Sequence, residues 1–299
     1  MLENAGKAVV IGASGFVGSY LARTLRSRGW EVLGTYHRHI APGLLPLDIR
    51  CRTEVESFLT HHEPNLICLC AAEPNVDYCE EYPEETRATN VGGVENVALL
   101  ASKIGARLMY FSSDYVFDGS SGPYSETDLP KPISEYGRQK AKSEEIVRKM
   151  IPNPIILRIT VLYGREEQGK NFLERLIRVL KRGDSIKVPV DQIGNPTLID
   201  NLVDIVLELV THESNGLYHV CGPDRLSRYE FAIEAARTFN LDESKIIGVT
   251  TDQLGQKARR PLSAGMKIER LQREISVTPV GIRKGLEWLK ARPKCPVNL

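Results

Sequence analysis

The stretch from Lys7 to Tyr36 constrains the fold of this chain more than any other. It opens with KAVVIG, a short continuous apolar run ending in glycine, which suits a strand buried on both faces. GASGFVG follows, with Gly12, Gly15 and Gly18 in GxxGxxG spacing, and then the helical pattern SYLARTLRSRG, for which Gly29 is a natural C-cap. EVLGTY is a second strand. Strand, glycine turn, helix and strand in that order give the glycine triplet a context it lacks alone. Glycines there permit a tight turn and close approach of backbone to a pyrophosphate, and the helix N-terminus faces the anion. We read a dinucleotide site on Gly12, Gly15 and Gly18. An acidic residue ending the second strand would bind the ribose 2′-hydroxyl of NAD. This chain has Thr35-Tyr36-His37-Arg38-His39 instead, and a basic group accommodates the 2′-phosphate of NADP. The reading favours NADPH with Arg38 as its contact, NADH being the other option, against a plain solvated basic loop.

Strands and helices alternate up to Gly164, which predicts an α/β fold with a Rossmann-type doubly wound parallel sheet over residues 1–164. Residues 165–299 mix elements, as a smaller C-terminal substrate-binding lobe would. GLYHVCG, near residues 216–222, reads as a strand returning to the main sheet. Asp48 either faces the adenine edge or caps the following helix. Ala71 and Ala72 end the strand NLICLCAA and are small enough to let a cofactor lie against the backbone. Asn90, in a helical region, has a surface or capping role as its plain alternative.

With 299 residues, 42% of them hydrophobic, the chain has ample material for a full core. A net charge of +1 indicates no field for nucleic acid or membrane. Cys51, Cys68, Cys70, Cys79, Cys221 and Cys295 form no CxxC pair and no disulfide framework, and the apolar setting of Cys68 and Cys70 suits core thiols. No His/Cys/Asp/Glu cluster has metal-ligand spacing. The N-terminus lacks signal-peptide character and no apolar run approaches a bilayer span. A reduced, cytoplasmic enzyme is expected.

The chemistry concentrates between Tyr110 and Glu144. Tyr136 and Lys140 are four residues apart, on one face of a helix. A cation beside a phenol favours the phenolate and lowers its pKa, which makes a proton-donating pair. Ser113, ending the run LMYFSS, supplies a third hydroxyl. Such a site reduces or oxidises a carbonyl when a hydride carrier binds nearby. The loop DGSSGPYSETDLPKP is long, and long loops in compact domains are usually functional. Ser134 is placed to cap the helix. Gly137 inside it costs roughly 1 kcal/mol relative to alanine, and a ligand close to the backbone would explain it. Arg259 and Arg260, before Pro261, bind phosphate or form a solvated surface pair.

These pieces resemble the extended short-chain dehydrogenases, and within them the dTDP-4-dehydrorhamnose reductase family. The resemblance covers nearly the whole chain and rests on GASGFVG, VDYCEEYPEETRATNV, FSSDYVFDG, PYSETDLPKPISEYGRQK, LRITVLYG, DQIGNPT and RRPLSAGMKIERL. YxxxK alone is common by chance; YVFDG, PYxExD, YGxxK and DQxGxPT together are specific. The resemblance implies that Tyr136 donates the proton to the carbonyl oxygen. Lys140 would lower its pKa and hold the nicotinamide ribose. Ser113 would bond the same oxygen, and Asp114 would touch the sugar. Ser14, Gly15, Phe16 and Val17 would lie along the pyrophosphate, with Asp48, Ile49, Ala71, Ala72 and Asn90 completing the cofactor set and Arg260 on the substrate side. The implied substrate is a nucleotide-linked 4-keto-6-deoxy sugar, most specifically dTDP-4-dehydro-L-rhamnose. The family often carries SWVYG where this chain has TVLYG, so Val161 replaces a large contact surface and opens the identity of the sugar.

Two other readings stay open. One is an epimerase or dehydratase on the same scaffold; a dehydratase would want a glutamate after Asp114, which SSDY does not offer. The other is a non-catalytic NADP-binding subunit like the regulatory beta subunit of methionine adenosyltransferase. Assembly is open at this level, a homodimer included.

Overall fold

The apolar run at the N-terminus is covered because its strand lies inside a sheet. In the computed structural model, which describes residues 6–166 and 168–292, Lys7–Ile11 (β1) pairs in parallel with Glu31–Tyr36 (β2) on one side and Leu66–Leu69 (β4) on the other. Leu45–Pro46 (β3) extends the sheet beyond β2, and Arg107–Ser113 (β5) and Ile155–Ile159 (β6) extend it beyond β4. Four short strands follow in the chain, Leu162–Tyr163 (β7), Ile186–Pro189 (β8), Ile193–Gly194 (β9) and Thr197–Leu198 (β10), before Gly216–Val220 (β11) pairs in parallel with β6. The order is β11-β6-β5-β4-β1-β2-β3, every pairing parallel. This is the Rossmann-type doubly wound α/β fold. The N-terminal five residues and Cys295, on which the leader and thiol readings touch, lie outside the described residues.

Strand residues alternate between two cores. Ala8 and Val10 face one, shared with Phe16–Ser27 (α1); Val9 and Ile11 face the other, shared with Arg52–His62 (α2). Val76–Glu81 (α3) and Pro83–Arg87 (α4) lead through a π-helical segment, Ala88–Gly93, into Val94–Ile104 (α5). Both α5 and Glu135–Met150 (α6) pack on the α2 side. Phe172–Lys181 (α7) belongs to the second lobe, whereas Ile199–Thr211 (α8) returns to cover the α1 face. With both sheet faces covered, continuous apolar strands are what the fold requires.

The second lobe pairs strands only in twos. β10 pairs with β7, Leu226–Ser227 (β12) with β9, and Ile246–Val249 (β13) with β8. Its own core joins α7, Arg228–Thr238 (α9) and Ile282–Ala291 (α11), with the short Glu269–Glu274 (α10) between α9 and α11 in the chain. Among the described residues no helix is long and apolar enough to cross a membrane.

Candidate active site

β1 and β4 are neighbours from which the chain departs in opposite directions across the sheet, the switch point where open α/β sheets bind ligands. Gly12 and Ala71 meet at their C-terminal ends. Gly12 has φ +86°, and a Cβ on it would lie 2.8 Å from the Ala71 nitrogen. A Cβ on Gly18 would overlap the Gly12 carbonyl, so α1 packs directly on the turn. Gly15 is the N-cap of α1; no side chain caps that end and no acidic residue occupies its first turn. Phe16 and Val17 therefore open the helix with N–H groups that no cap satisfies. Such a cradle fits a dinucleotide diphosphate. The second lobe reaches over it: Gln168 donates to the Ser14 carbonyl at 3.3 Å, and Tyr20 to the Arg165 carbonyl at 2.9 Å. Ala71 and Ala72 are half-buried beside it, whereas the Ile49 side chain is 4% exposed and belongs to the core against Gly93.

The basic end of β2 is wired differently from expectation. Arg38 is half exposed and paired with Glu73 at 3.3 Å and Glu85 at 3.7 Å, so its guanidinium is not an unengaged anion site. Asp48 does not cap α2, whose N-cap is Cys51 without a side-chain bond. Its carboxylate instead holds Arg50 at 2.7 Å, and that bond keeps its pKa below the usual carboxylate value. Arg50, unremarked in the sequence reading, also lies 3.2 Å from the His37 ring, and Lys170 brings the second lobe within 3.5 Å of His39.

Asn90 is not a surface residue. It is 1% exposed inside the π-helical segment, accepts the Glu73 N–H at 2.8 Å and donates to Gln139 at 2.8 Å. It thereby clamps the loop after β4 to α6.

α6 carries the expected pair. Ser134 caps it by accepting the Gly137 N–H at 3.2 Å. The Lys140 ammonium lies 5.8 Å from the Tyr136 ring centre and donates to the Phe111 carbonyl at 2.8 Å, which fixes it against β5. Burial pushes its pKa down to about 8. The expected lowering of the Tyr136 pKa is not what the fold produces. Burial pushes the phenol well above its usual value, Asp114 adds to this, and the Ser113 hydroxyl opposes it. Removing solvent from an acid outweighs a nearby cation when that cation is itself desolvated. The Gly137 expectation also changes. A Cβ there would overlap the Tyr115 carbonyl oxygen, so close packing of backbone on backbone requires the glycine, without any ligand.

At the end of β5, Ser113 donates to Asp114 at 2.9 Å and Thr160 donates to the other carboxylate oxygen at 2.7 Å. Burial raises the Asp114 pKa to about 6 against those two bonds and the charge of Arg228. Asp114 and Tyr115 line a cleft whose wall also includes Val161, Gln192, Leu226 and Arg228. The Tyr115 ring meets Tyr136 edge-on at 5.7 Å. Arg260 stands apart from this wall: its guanidinium is 7% exposed and bound to Asp77 at 2.9 Å. Tyr115 and Thr160 lie inside the stretches FSSDYVFDG and LRITVLYG, and Arg228 outside all of them; none has a role that spacing alone reveals, because each reaches the site through packing of separate segments.

The model of the RmlD substrate binding domain matches residues 6–292. The chain is 32% identical to the spore coat polysaccharide biosynthesis protein SpsK of Bacillus subtilis, over 96% of this chain and 98% of that one. It is 31% identical to methionine adenosyltransferase 2 subunit beta of Xenopus laevis, over 94% of this chain and 87% of that one. The solved dTDP-4-dehydrorhamnose reductase of Bacillus anthracis, in complex with NADP, superposes with TM-score 0.88 at 29% identity, covering 95% of this chain and 98% of that one.

Proposed function

The chain belongs to the RmlD substrate binding domain family, and from that premise we propose that it is an NADPH-dependent reductase of a nucleotide-linked 4-keto-6-deoxy sugar, with dTDP-4-dehydro-L-rhamnose as its substrate. The observation that carries this reading is the meeting of Ser113, Tyr136 and the buried Lys140 ammonium at the end of β5, beside the uncapped glycine turn. Residues 1–164 would hold the cofactor and residues 165–299 cover the sugar. The diphosphate would rest on Gly12, Ser14, Gly15, Phe16, Val17 and Gly18, and Ala71 and Ala72 would flank the nicotinamide. The backbone around Asp48 and Ile49 would border the adenine, and Asn90 would act by holding the loop in place. Arg38, itself half exposed, would take the 2′-phosphate by giving up its pairs with half-buried Glu73 and exposed Glu85.

NADPH supplies the hydride when bound. Tyr136 donates its proton to the carbonyl oxygen as the C4–H bond forms, leaving the alcohol and a phenolate that the adjacent ammonium stabilises. The high pKa of the phenol keeps the proton in place until charge develops on the oxygen. Ser113, whose one proton goes to Asp114 in this structure, would turn that proton to the same carbonyl oxygen when substrate binds. Positioned general acids contribute about 10²–10⁴-fold. The expected result is therefore NADPH oxidation with dTDP-4-dehydrorhamnose by the wild type, reduced by that factor in Tyr136→Phe, followed by loss of 340 nm absorbance.

The similarity to a methionine adenosyltransferase beta subunit supports a second reading, a non-catalytic NADP-binding partner protein. NADPH binding without turnover of any 4-keto sugar nucleotide would favour it.

A further inference from the structure

Between β13 and α10 the chain leaves the second lobe as a strap and crosses to α3 of the sheet domain. Residues 251–257 and Arg259 are exposed or half-buried, whereas Ala258 is 2% exposed. Polar bonds hold this segment more than apolar packing does. At its start the partners belong to the second lobe: Thr251 donates its N–H to Asp191 at 2.9 Å and its hydroxyl at 2.7 Å, and Gln192 donates to Thr251 at 3.1 Å. Farther on the partners belong to α3. Asp77 accepts the Ala258 N–H at 2.9 Å and pairs with the Arg260 guanidinium at 2.9 Å, while Arg260 donates back to the Ala258 carbonyl at 3.2 Å. Lys257 pairs with Glu81, one turn along the same helix. The strap then becomes cleft wall, since Pro261 and Ala264 line the cleft together with Asp114 and Tyr115.

The two ion pairs are unequal. Lys257 and Glu81 are both exposed, and such a pair contributes little. The Arg260 side chain is 7% exposed, and Asp77 is its only carboxylate partner among the described residues, so this charge-assisted pair is the strong one. A segment with few buried apolar side chains opens locally before the rest of a fold does. One carboxylate therefore governs whether the strap stays down. The helix that carries it serves α6 through a different residue: Glu80 accepts the Glu135 N–H at 2.8 Å and pairs with Arg138 at 3.6 Å. Releasing Asp77 leaves those bonds to α6 in place.

We propose that Asp77 is a positioning residue that latches residues 257–264 closed along the cleft, and that release of Ala258 and Arg260 from Asp77 is the opening through which substrate enters. The inference rests on the cleft being the substrate site of the reductase reading above. Closed, the strap places Pro261 and Ala264 in the same wall as Asp114; open, it withdraws that part of the wall. Substrate affinity then depends on the latch, whereas proton donation depends on α6 and β5, which the latch does not hold.

The test is limited trypsin digestion of the full chain saturated with NADPH, with the cuts after Lys257 and Arg259 followed by mass spectrometry. Cleavage tracks the population of the open form, so loss of the charge-assisted bonds predicts a rise of roughly 10–100-fold at these two sites in Asp77→Asn and in Arg260→Gln. The double variant should fall well short of the product of the two single effects, because both act on one latch. Glu81→Gln, which removes only the exposed pair, should change cleavage by less than about threefold. With dTDP-4-dehydrorhamnose, Asp77→Asn should raise KM and keep kcat within about twofold of wild type. Cleavage within about twofold of wild type in both single variants overturns the proposal. So does faster cleavage spread along the whole chain, which would mark a merely structural role, or a fall in kcat at unchanged KM. If the wild type turns over no keto sugar, the reductase reading falls, and cleavage after Lys257 and Arg259 alone decides the latch. If the variants are cut faster at those sites yet keep the wild-type KM, the reaction stands and the latch falls.

Discussion

Lys140 carries a proton that the fold makes easy to remove. Its spacing from Tyr136 was legible in the sequence, because helix periodicity alone puts the two on one face. The balance of charge and burial was not legible, since it depends on strands far away in the chain that close around them. Burial takes the lysine from an ordinary 10.5 to about 8. The folded protein therefore binds fewer protons than the unfolded chain between about pH 8 and 10.5, and this group makes stability rise with pH across that window. Lys140→Met should lack that rise, measured by urea unfolding at pH 8 and pH 10. Activity moves the other way. kcat/KM reports the free enzyme, so it should fall as pH climbs past about 8 and the ammonium is lost. Lys140→Arg, which stays charged, should remove that alkaline limb even where its rate is low.

At the scale of elements, α6 is the organiser. Its cap Ser134, the face carrying Tyr136 and Lys140, and its basic last turn follow from local sequence. What the helix touches does not. Gly137 lets the helix approach the Tyr115 carbonyl, and Asn90 and Gln139 bind it to the loop after β4. Gly137→Ala gains about 1 kcal/mol of helix propensity. It should nevertheless destabilise the protein by a net 1–3 kcal/mol or so, because overpacking against backbone has no side chain to yield. Chemical denaturation reads the sign directly: a stabilised alanine variant would mean that the helix can shift, and that the close approach is not required. Asn90 illustrates the same gap. A single polar residue in a helical stretch looks like a surface or capping group, and only tertiary packing reveals it as a buried clamp.

At the scale of the molecule, an ionic core joins segments distant in the chain. Arg158 on β6 is 1% exposed and binds Glu144 of α6 through two bonds of 2.8 Å. Ser112 on β5 donates to the same carboxylate at 2.6 Å. Burial works against the Glu144 charge, yet the Arg158 bonds and charge keep its pKa below the usual value. His219 of β11 completes the cluster; burial and the charge of Arg158 push it down to about 3, so it stays neutral at working pH. Glu144→Gln leaves a buried guanidinium without its counter-ion, for which the expected cost is about 3–5 kcal/mol. Replacing both partners by apolar residues should recover most of that cost in urea unfolding. A small effect of the single substitution would show that water reaches Arg158.

The sequence by itself determined the sheet class, the glycine turn and the helix that carries Tyr136 and Lys140, because each depends on local spacing: continuous apolar runs, glycines in series, side chains one helical turn apart. The tertiary structure alone decided which polar groups meet. Arg38 with Glu73, Arg260 with Asp77, Thr160 with Asp114 and Arg228 with Phe172 are separated by between 35 and 183 residues in the chain. The same holds for the ionisation of Tyr136 and Lys140. A pKa is set by how much water and charge surround a group, and that is fixed only when the sheet, α6 and the second lobe have closed around it.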